Sequence, residues 1–365
     1  MKILCATPMP LPSRSVSSFT VSKTAEAFAI LGHAVTLYGK HGGKDDVNAH
    51  YNLHKDLKIL APPAPNIPLL GTILHSRKIV RLALQEQYSI LYSRGIWPLY
   101  FTRNKNIDLI FEAHMPAGNA LYHHTMTKVF SAPNFRRLIV ISNKLKEMYL
   151  EAHPQLKDKE IVLARLASEP PAESKNEREW PGRAGHPQIG YIGGLYQGRG
   201  IELICRIAGK LPDMDFHFVG GGRDKGYFER KLGNLPANIT FHGFTNPGKL
   251  SGIYQRLDIL LAPYQADAKT MNNKPLDYFS PTKLFEYMAA KKAIVASDLP
   301  IIREVLNDGE EFLLASPNDA GAWAEAITKL AADKELYSRL VAAAFERFNK
   351  EFTWKQRART ILEGL

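Results

Sequence analysis

The segment Ser280-Pro-Thr-Lys-Leu-Phe-Glu-Tyr-Met288 holds the strongest concentration of reactive chemistry in the chain. Ser280 suits a helix N-cap and Pro281 the first helical position, so a helix is predicted to start here. The unpaired first-turn amides, running through Thr282 and Leu284, carry partial positive charge and attract a phosphate. Lys283 adds a full charge in that turn. Glu286 follows three residues later on the same helix face. A carboxylate there can accept both hydroxyls of a ribose while Lys283 and the amides hold a diphosphate. The same spacing also describes a capped surface helix with an i,i+3 ion pair.

Two glycine-rich loops add candidates. Gly193-Gly-Leu-Tyr-Gln-Gly-Arg-Gly200 lies between a predicted strand and helix. Gly193 and Gly194 let a ligand approach the backbone, and Arg199 can grip phosphate with its planar fork. The loop matches neither the dinucleotide-binding nor the Walker A spacing. Gly220-Gly221-Gly222-Arg223 follows the next strand, where plain turn chemistry explains it equally well. In the first half, His114 ends Phe111-Glu-Ala-His and can bond a phosphate or an acceptor hydroxyl. Ser17, Ser18 and Arg94 are further loop candidates in the first half. His123-His124 reads as surface. No HExxH, CxxC or EF-hand spacing occurs, so no built-in metal is expected.

These loops need a scaffold that places strand ends side by side. Apolar runs at Lys2–Ala6, Ala34–Tyr38, Ser89–Tyr92, Asp108–Glu112 and Leu138–Ile141 alternate with helical stretches at Phe19–Leu31, Gly71–Gln87 and Asn143–Glu151. A second series runs through Gln188–Ile192, Asp215–Val219, Ile239–Phe241, Asp258–Ala262, Ala293–Ala296 and Phe312–Ala315. Strands separated by helices predict α/β architecture with two doubly wound parallel sheets, and ligands at the strands' carboxyl ends in a cleft between domains. Residues 1–167 form the first expected domain, 168–187 a Pro-rich linker and 188–351 the second. The chain's 365 residues and 45% hydrophobic content support two cores. No apolar run of about 20 residues exists to cross a bilayer. Cys5 and Cys205 fall in different halves, which excludes a disulfide framework and suits a reducing, cytoplasmic compartment.

Together the motifs resemble the retaining glycosyltransferases of the GT-B fold, glycosyltransferase family 4 (glycosyl transferase group 1). The likeness follows the family's order along nearly the whole chain. It runs through Ala29-Ile-Leu-Gly-His33, Leu138-Ile-Val-Ile-Ser142, Tyr191-Ile-Gly-Gly-Leu195 with Arg199-Gly200, Phe218-Val-Gly-Gly, Ile239-Thr-Phe-His-Gly-Phe244 and Asp258-Ile-Leu-Leu-Ala-Pro263. Ser280–Met288 and Ile294-Val-Ala-Ser-Asp298 complete it. The resemblance implies a Rossmann-like acceptor domain first and a nucleotide-sugar domain second. A final helix, near 352–365, would cross back to the first. Glu286 matches the family's ribose glutamate, Arg199 its basic residue on the diphosphate, and Lys283 its phosphate-binding helix start. His114 matches its histidine beside the donor sugar. Three positions depart from the pattern. Tyr278, beside Asp277, replaces an acidic sugar contact; Gly194 stands where an Arg is common; Ser15-Val-Ser-Ser18 replaces a glycine pair. Asp277, Ser17 and Ser18 are the candidates to compensate.

The implied reaction moves a sugar from a UDP- or GDP-sugar to an acceptor hydroxyl with retained configuration, in glycan, glycolipid or polysaccharide synthesis. Neither a metal nor a bound cofactor is expected, because cations and helix amides can carry the leaving charge. An inactive sugar-nucleotide or polyanion-binding protein and a sugar-nucleotide epimerase remain as alternatives. Charge is uneven: residues 1–165 hold 21 Lys and Arg against 11 Asp and Glu, while residues 166–365 hold 26 against 25. A basic acceptor half suits a glycan, lipid-linked or other small acceptor bearing negative charge, or peripheral contact with an anionic membrane. Within Ile67–Leu82, Leu70, Ile73 and Leu74 beside Arg77, Lys78 and Arg81 fit the membrane reading, and a helix burying that stripe fits equally. No nucleic-acid motif is present.

Overall fold

A computed structural model describes residues 1–13, 15–55, 57–63, 67, 70–116, 118–171, 180–245, 250–266 and 277–365. They divide into two compact units. The first comprises Met1–Leu166, Tyr278–Ser280 and Trp354–Leu365; the second comprises Ala167–Asp277 and Pro281–Thr353.

Alternating apolar strands and amphipathic helices leave each strand apolar on both faces, and only a parallel sheet sandwiched by helices buries both. In the first unit β1 (Lys2–Leu11), β2 (Ala34–His41), β3 (Lys58–Leu60), β4 (Ile90–Ser93), β5 (Asp108–Ala113), β6 (Phe135–Val140) and β7 (Glu160–Leu163) form that sheet. Their order is β3-β2-β1-β4-β5-β6-β7, every pair parallel. The order reverses direction between β1 and β4, which opens a crevice at their carboxyl ends. Helices α1 (Val16–Ile30), α2 (Val47–Tyr51), α3 (Leu70–Gln85), α4 (Ile96–Thr102), α5 (Ala120–Phe130) and α6 (Asn143–Ala152) connect the strands. Leu4, Leu91, Leu109, Val129 and Leu138 sit fully buried at the core of this layer stack.

The second unit contains β8 (Gln188–Ile192), β9 (Asp215–Val219), β10 (Ile239–Gly243), β11 (Ile259–Ala262), β12 (Ala293–Ser297) and β13 (Leu313–Ala315). The order is β10-β9-β8-β11-β12-β13, again all parallel, with the switch between β8 and β11. Its helices are α7 (Ile201–Lys210), α8 (Lys225–Leu232), α9 (Leu250–Arg256), α10 (Thr282–Ala289), α11 (Pro300–Arg303), α12 (Ala320–Ala332) and α13 (Lys334–Arg347). A π-helical turn over Phe348–Phe352 ends this run, and Phe352 stacks on Phe285 at 4.3 Å. The last helix, α14 (Trp354–Leu362), belongs to the first unit: Trp354 packs edge-on against Phe19 of α1, and Arg137 donates to the Ile361 carbonyl.

Several boundaries differ from the sequence reading. Strands β3 and β7 and helices α2, α4 and α5 were not expected. Both strands are short sheet edges without fully buried positions, so they show no apolar run. The expected linker, 168–187, is not free chain at its described ends. Ser168 donates to the Phe352 carbonyl, and Trp180 donates to Gln188 while stacking on His242. Residues 172–179 of that stretch lie outside the described residues. Along α3 the stripe named for a membrane is not what the helix buries. His75, Ser76, Ile79 and Ala83 face inward, while Leu70, Leu74, Arg77, Lys78 and Arg81 are exposed.

Candidate functional site

In the second unit the candidate residues gather at the carboxyl ends of β8 and β11, where the strand order reverses. The two glycine-rich loops pair with each other and extend the sheet. Gly193 N–H donates to the Val219 carbonyl, Leu195 to Gly221, Arg223 to Leu195 and Gly220 to Gly243, at 2.8–2.9 Å. Glycine is required at the crossing. Gly193 and Gly220 have φ of 149° and 154°; a Cβ on Gly220 would strike the Gly193 carbonyl, and one on Gly193 would strike Lys283 Nζ. Lys283 therefore lies directly against the Gly193 backbone, with Nζ 5.4 Å from the centre of the Tyr191 ring. The Tyr191 hydroxyl donates to the Gly194 carbonyl, stiffening the same loop.

Helix α10 is held in place from beneath. The fully buried Tyr287 hydroxyl lies against both the amide and carbonyl of Ile192 and the carbonyl of Leu261, at 3.1–3.4 Å. That anchor ties α10 to the ends of β8 and β11 and fixes Glu286, beside it in sequence, and Lys283, one turn before it. Burial and the charge of Arg199 push the Lys283 ammonium down to about 8, with Glu286 opposing. Glu286 is open to solvent but crowded by protein on its other sides; that crowding raises its carboxyl while Lys283 lowers it. Two cations and one carboxylate thus act on one another here, and the cations repel.

The expected cap is corrected. Helix α10 begins at Thr282 with Pro281 in the N-cap position and no side-chain cap. Ser280 Oγ instead accepts from the Leu166 amide at 3.0 Å and belongs to the first unit. Pro281 has no N–H and its side chain cannot accept; Leu284 N–H turns back to the Pro281 carbonyl at 2.9 Å, and Lys283 N–H meets the Tyr264 hydroxyl. Asp277 is exposed, and Tyr278 packs on the first unit's core while its carbonyl accepts from Ser142.

In the first unit His114 stands just past β5, at the mouth of a cavity of about 380 Å³ that Ser17, Arg94, Glu112 and Trp97 help to line. Glu112 lies near the end of β5, and His114 follows two residues on, just beyond the strand. His114 Nε2 meets Glu112 Oε1, and Arg357 of α14 donates to Glu112 Oε2 at 2.7 Å. Arg94 Nε is 3.9 Å from Glu112 and its guanidinium donates to the Ser17 carbonyl at 2.9 Å. Glu112 is held down at about 2: burial would raise it, and the charge of Arg357, followed by His114, outweighs that. Burial, and then Arg94, push His114 down to about 4 against the pull of Glu112. The ring is therefore neutral near pH 7. Since ionised Glu112 only accepts, Nε2 carries the proton and Nδ1 is a lone-pair acceptor.

Glu112 and Arg357 escaped the sequence reading. A lone carboxylate inside the apolar run Leu109–Ala113 was the available signal for the first. Ser18 is fully buried, bonded to the Pro10 carbonyl and to Ser13, so it holds the loop and is not open to a ligand. Among the described residues no cluster of His, Cys, Asp or Glu is arranged to hold a metal ion, and no helix is long and apolar enough to cross a membrane.

This geometry meets its comparison in residues 186–333, which match the family of glycosyl transferases group 1. That match covers under half of the chain. The group 1 segment contains Gly193, Arg199, Lys283 and Glu286. A phosphatidyl-myo-inositol mannosyltransferase of Mycolicibacterium smegmatis is 29% identical over 154 residues, covering 42% of this chain and 37% of that protein. The chain spans under half the length of the first curated relatives it matches. A solved glycosyltransferase from Rickettsia africae aligns over 100% of both chains with a TM-score of 0.73 at 17% identity. Anabaena HepE in complex with UDP-glucose aligns over 100% of this chain and 98% of its own, with a TM-score of 0.69 at 12% identity. These likenesses establish the fold as GT-B.

Three buried histidines predict acid sensitivity. His114, His153 and His217 are each pushed down from 6.5 to about 4, chiefly by burial. Between those values the unfolded chain binds protons that the folded protein refuses, so stability rises with pH across this window. Each histidine contributes at most about 1.4 kcal/mol per pH unit there. Urea midpoints measured from pH 7 to pH 4 should fall steadily; a flat profile would refute the buried neutral state.

Proposed function

We propose that the protein is a retaining, metal-independent glycosyltransferase that moves a sugar from a nucleotide-diphosphate sugar to an acceptor hydroxyl. One observation carries the reading: Lys283, Arg199 and Glu286 converge at the β8/β11 switch inside the group 1 segment. Breaking the anomeric C–O bond leaves negative charge on the departing diphosphate. The mutual repulsion of the two cations, which Glu286 offsets only in part, is relieved by that charge, which favours the transition state over the ground state. Glu286 accepts the ribose hydroxyls. The bound UDP-glucose of the Anabaena neighbour supports a UDP-sugar as the first donor to test.

His114 acts on the acceptor rather than on the phosphates. Its Nε2 proton is engaged by Glu112, so the open Nδ1 receives a hydrogen bond from a non-attacking hydroxyl of the acceptor, which it positions, and offers none to an anion. The attacking hydroxyl's own proton passes to a leaving phosphate oxygen as its oxygen bonds the anomeric carbon on the face of departure. The relatives' phosphatidyl-myo-inositol acceptors support a lipid-linked, anionic acceptor, and the exposed Leu70, Leu74, Arg77, Lys78 and Arg81 face of α3 supports peripheral contact with an anionic bilayer.

Thermal shift with UDP-, GDP- and ADP-sugars tests the donor: the true donor raises the melting temperature, since it binds only the folded state. Transfer with that donor in excess EDTA, and the product's anomeric configuration by NMR, then test the rest. Loss of activity in EDTA, or an inverted product, would overturn the mechanism.

A further inference from the structure

The charges beside the first unit's cavity do not balance. Arg94, Arg357 and Glu112 have side chains that are 9%, 2% and 0% exposed. Arg357 spends its fork on Glu112, on Thr24 Oγ1 and on the Arg165 carbonyl. Arg94 has only a distant hold on that carboxylate, 3.9 Å away, and otherwise bonds the neutral Ser17 carbonyl and hydroxyl. His114 is neutral. Among the described residues two buried guanidiniums thus share one carboxylate, and one positive charge is left over. Burying an unbalanced charge is costly, and burial together with the Arg357 charge pushes Arg94 down to about 9.

Arg94 lines the cavity of about 380 Å³, where Glu112 is the one acid among the described lining residues. Ile79, Ile96, Phe111 and Met126 make much of the remaining wall apolar. Two lining rings carry nitrogens with no partner among the described residues: Trp97 Nε1, a donor, and His75 Nδ1. His75 Nε2 lies 3.3 Å from the Thr7 carbonyl and so holds the ring's proton, and burial keeps the ring neutral, which makes Nδ1 an acceptor. Buried polar atoms are rarely left unpaired unless a ligand or water completes them.

We propose that this cavity takes a small amphipathic acceptor with one acidic group, a carboxylate or a phosphate, held by Arg94, its apolar body lying along Ile79, Trp97 and Met126. The proposal rests on reading the first unit as the acceptor half of a glycosyltransferase. An anion against Arg94 balances the cluster. Arg94 and His114 both lie against Glu112 Oε1, so a single acceptor can carry the acidic group and the hydroxyl that His114 Nδ1 receives.

Calorimetric titration of the full chain with a matched series tests this: 3-phenylpropanoate, 2-phenylethyl phosphate, 3-phenylpropan-1-ol and inorganic phosphate. At least one acid should bind about tenfold more tightly than the alcohol, as expected of a charge-assisted hydrogen bond, and the two acids separate carboxylate from phosphate. Inorganic phosphate should bind more weakly than 2-phenylethyl phosphate. Arg94→Gln should erase the preference for acid over alcohol, and Arg94→Lys should keep it. The comparison on the unaltered protein requires no variant to fold. The proposal is overturned if the alcohol matches both acids, if inorganic phosphate matches its phenylethyl ester, or if nothing in the series binds. A parallel titration with UDP, GDP and ADP separates the failures. Nucleotide binding without acid binding defeats this inference alone; acid binding without any nucleotide binding defeats the glycosyltransferase reading and leaves the cavity's ligand class standing.

Discussion

Lys283→Met is expected to lower turnover about 10²–10³-fold, the loss typical of removing one preorganised charge from a transition state. Arg199→Ala is expected to fall in the same range. The two losses should not add, because both residues act on one leaving group. The same substitution should leave folding stability unchanged or raise it. Lys283 is repelled by Arg199 and disfavoured by burial, against the pull of Glu286, so on balance its charge weakens the fold. Opposite effects on activity and stability separate a chemical role from a packing one. A pH profile supplies a second check. With the ammonium at about 8, the charge is present below that pH and lost above it, so kcat/KM should fall on the alkaline side. Lys283→Arg, which stays charged, should lose that limb. Near wild-type turnover in both Lys283→Met and Arg199→Ala, with a confirmed donor, would remove the charge-stabilisation account.

The second unit was more legible than the first because its candidates sit in short, contiguous segments directly after strands. Strand, glycine loop and helix start each have local signatures, and strand order then brings their ends together. The backbone pairing of the Gly193 and Gly220 loops had no such signature, since it depends on β8 and β9 being neighbours. Ser280 misled for a related reason: its hydroxyl is ideal for capping, but the Leu166 amide, more than a hundred residues away in sequence, takes it. The first unit's charge cluster is long-range throughout. Arg357 reaches Glu112 from α14 across 245 residues, and nothing in Trp354–Leu362 reads differently from an ordinary amphipathic helix. Edge strands β3 and β7 were missed because half-exposed strands lose the apolar run on which strand reading depends.

Glu112→Gln should cost about 3–5 kcal/mol of folding stability, because it leaves two buried guanidiniums without an anion. The substitution is nearly isosteric and keeps an oxygen for Arg357, so a packing defect would not explain a loss of that size. A double-variant cycle separates the contributions. Arg357→Met alone strands a buried carboxylate beside Arg94, whereas Glu112→Gln with Arg357→Met removes one charge of each sign. The combined loss should therefore be smaller than the sum, with a coupling of about 0.5–3 kcal/mol. Urea denaturation at pH 7.5 measures all four corners. Catalysis should follow a separate path. Without the carboxylate, His114 loses the partner that fixes its Nε2 proton, so its pKa should fall further and its tautomer equilibrate, which ¹⁵N NMR of the ring reads directly. Turnover in the double variant should stay low even where stability recovers, because one carboxylate serves two ends: it offsets Arg357 in the fold and aims His114 at the acceptor. Recovery of both stability and turnover together would reduce Glu112 to a structural counter-ion.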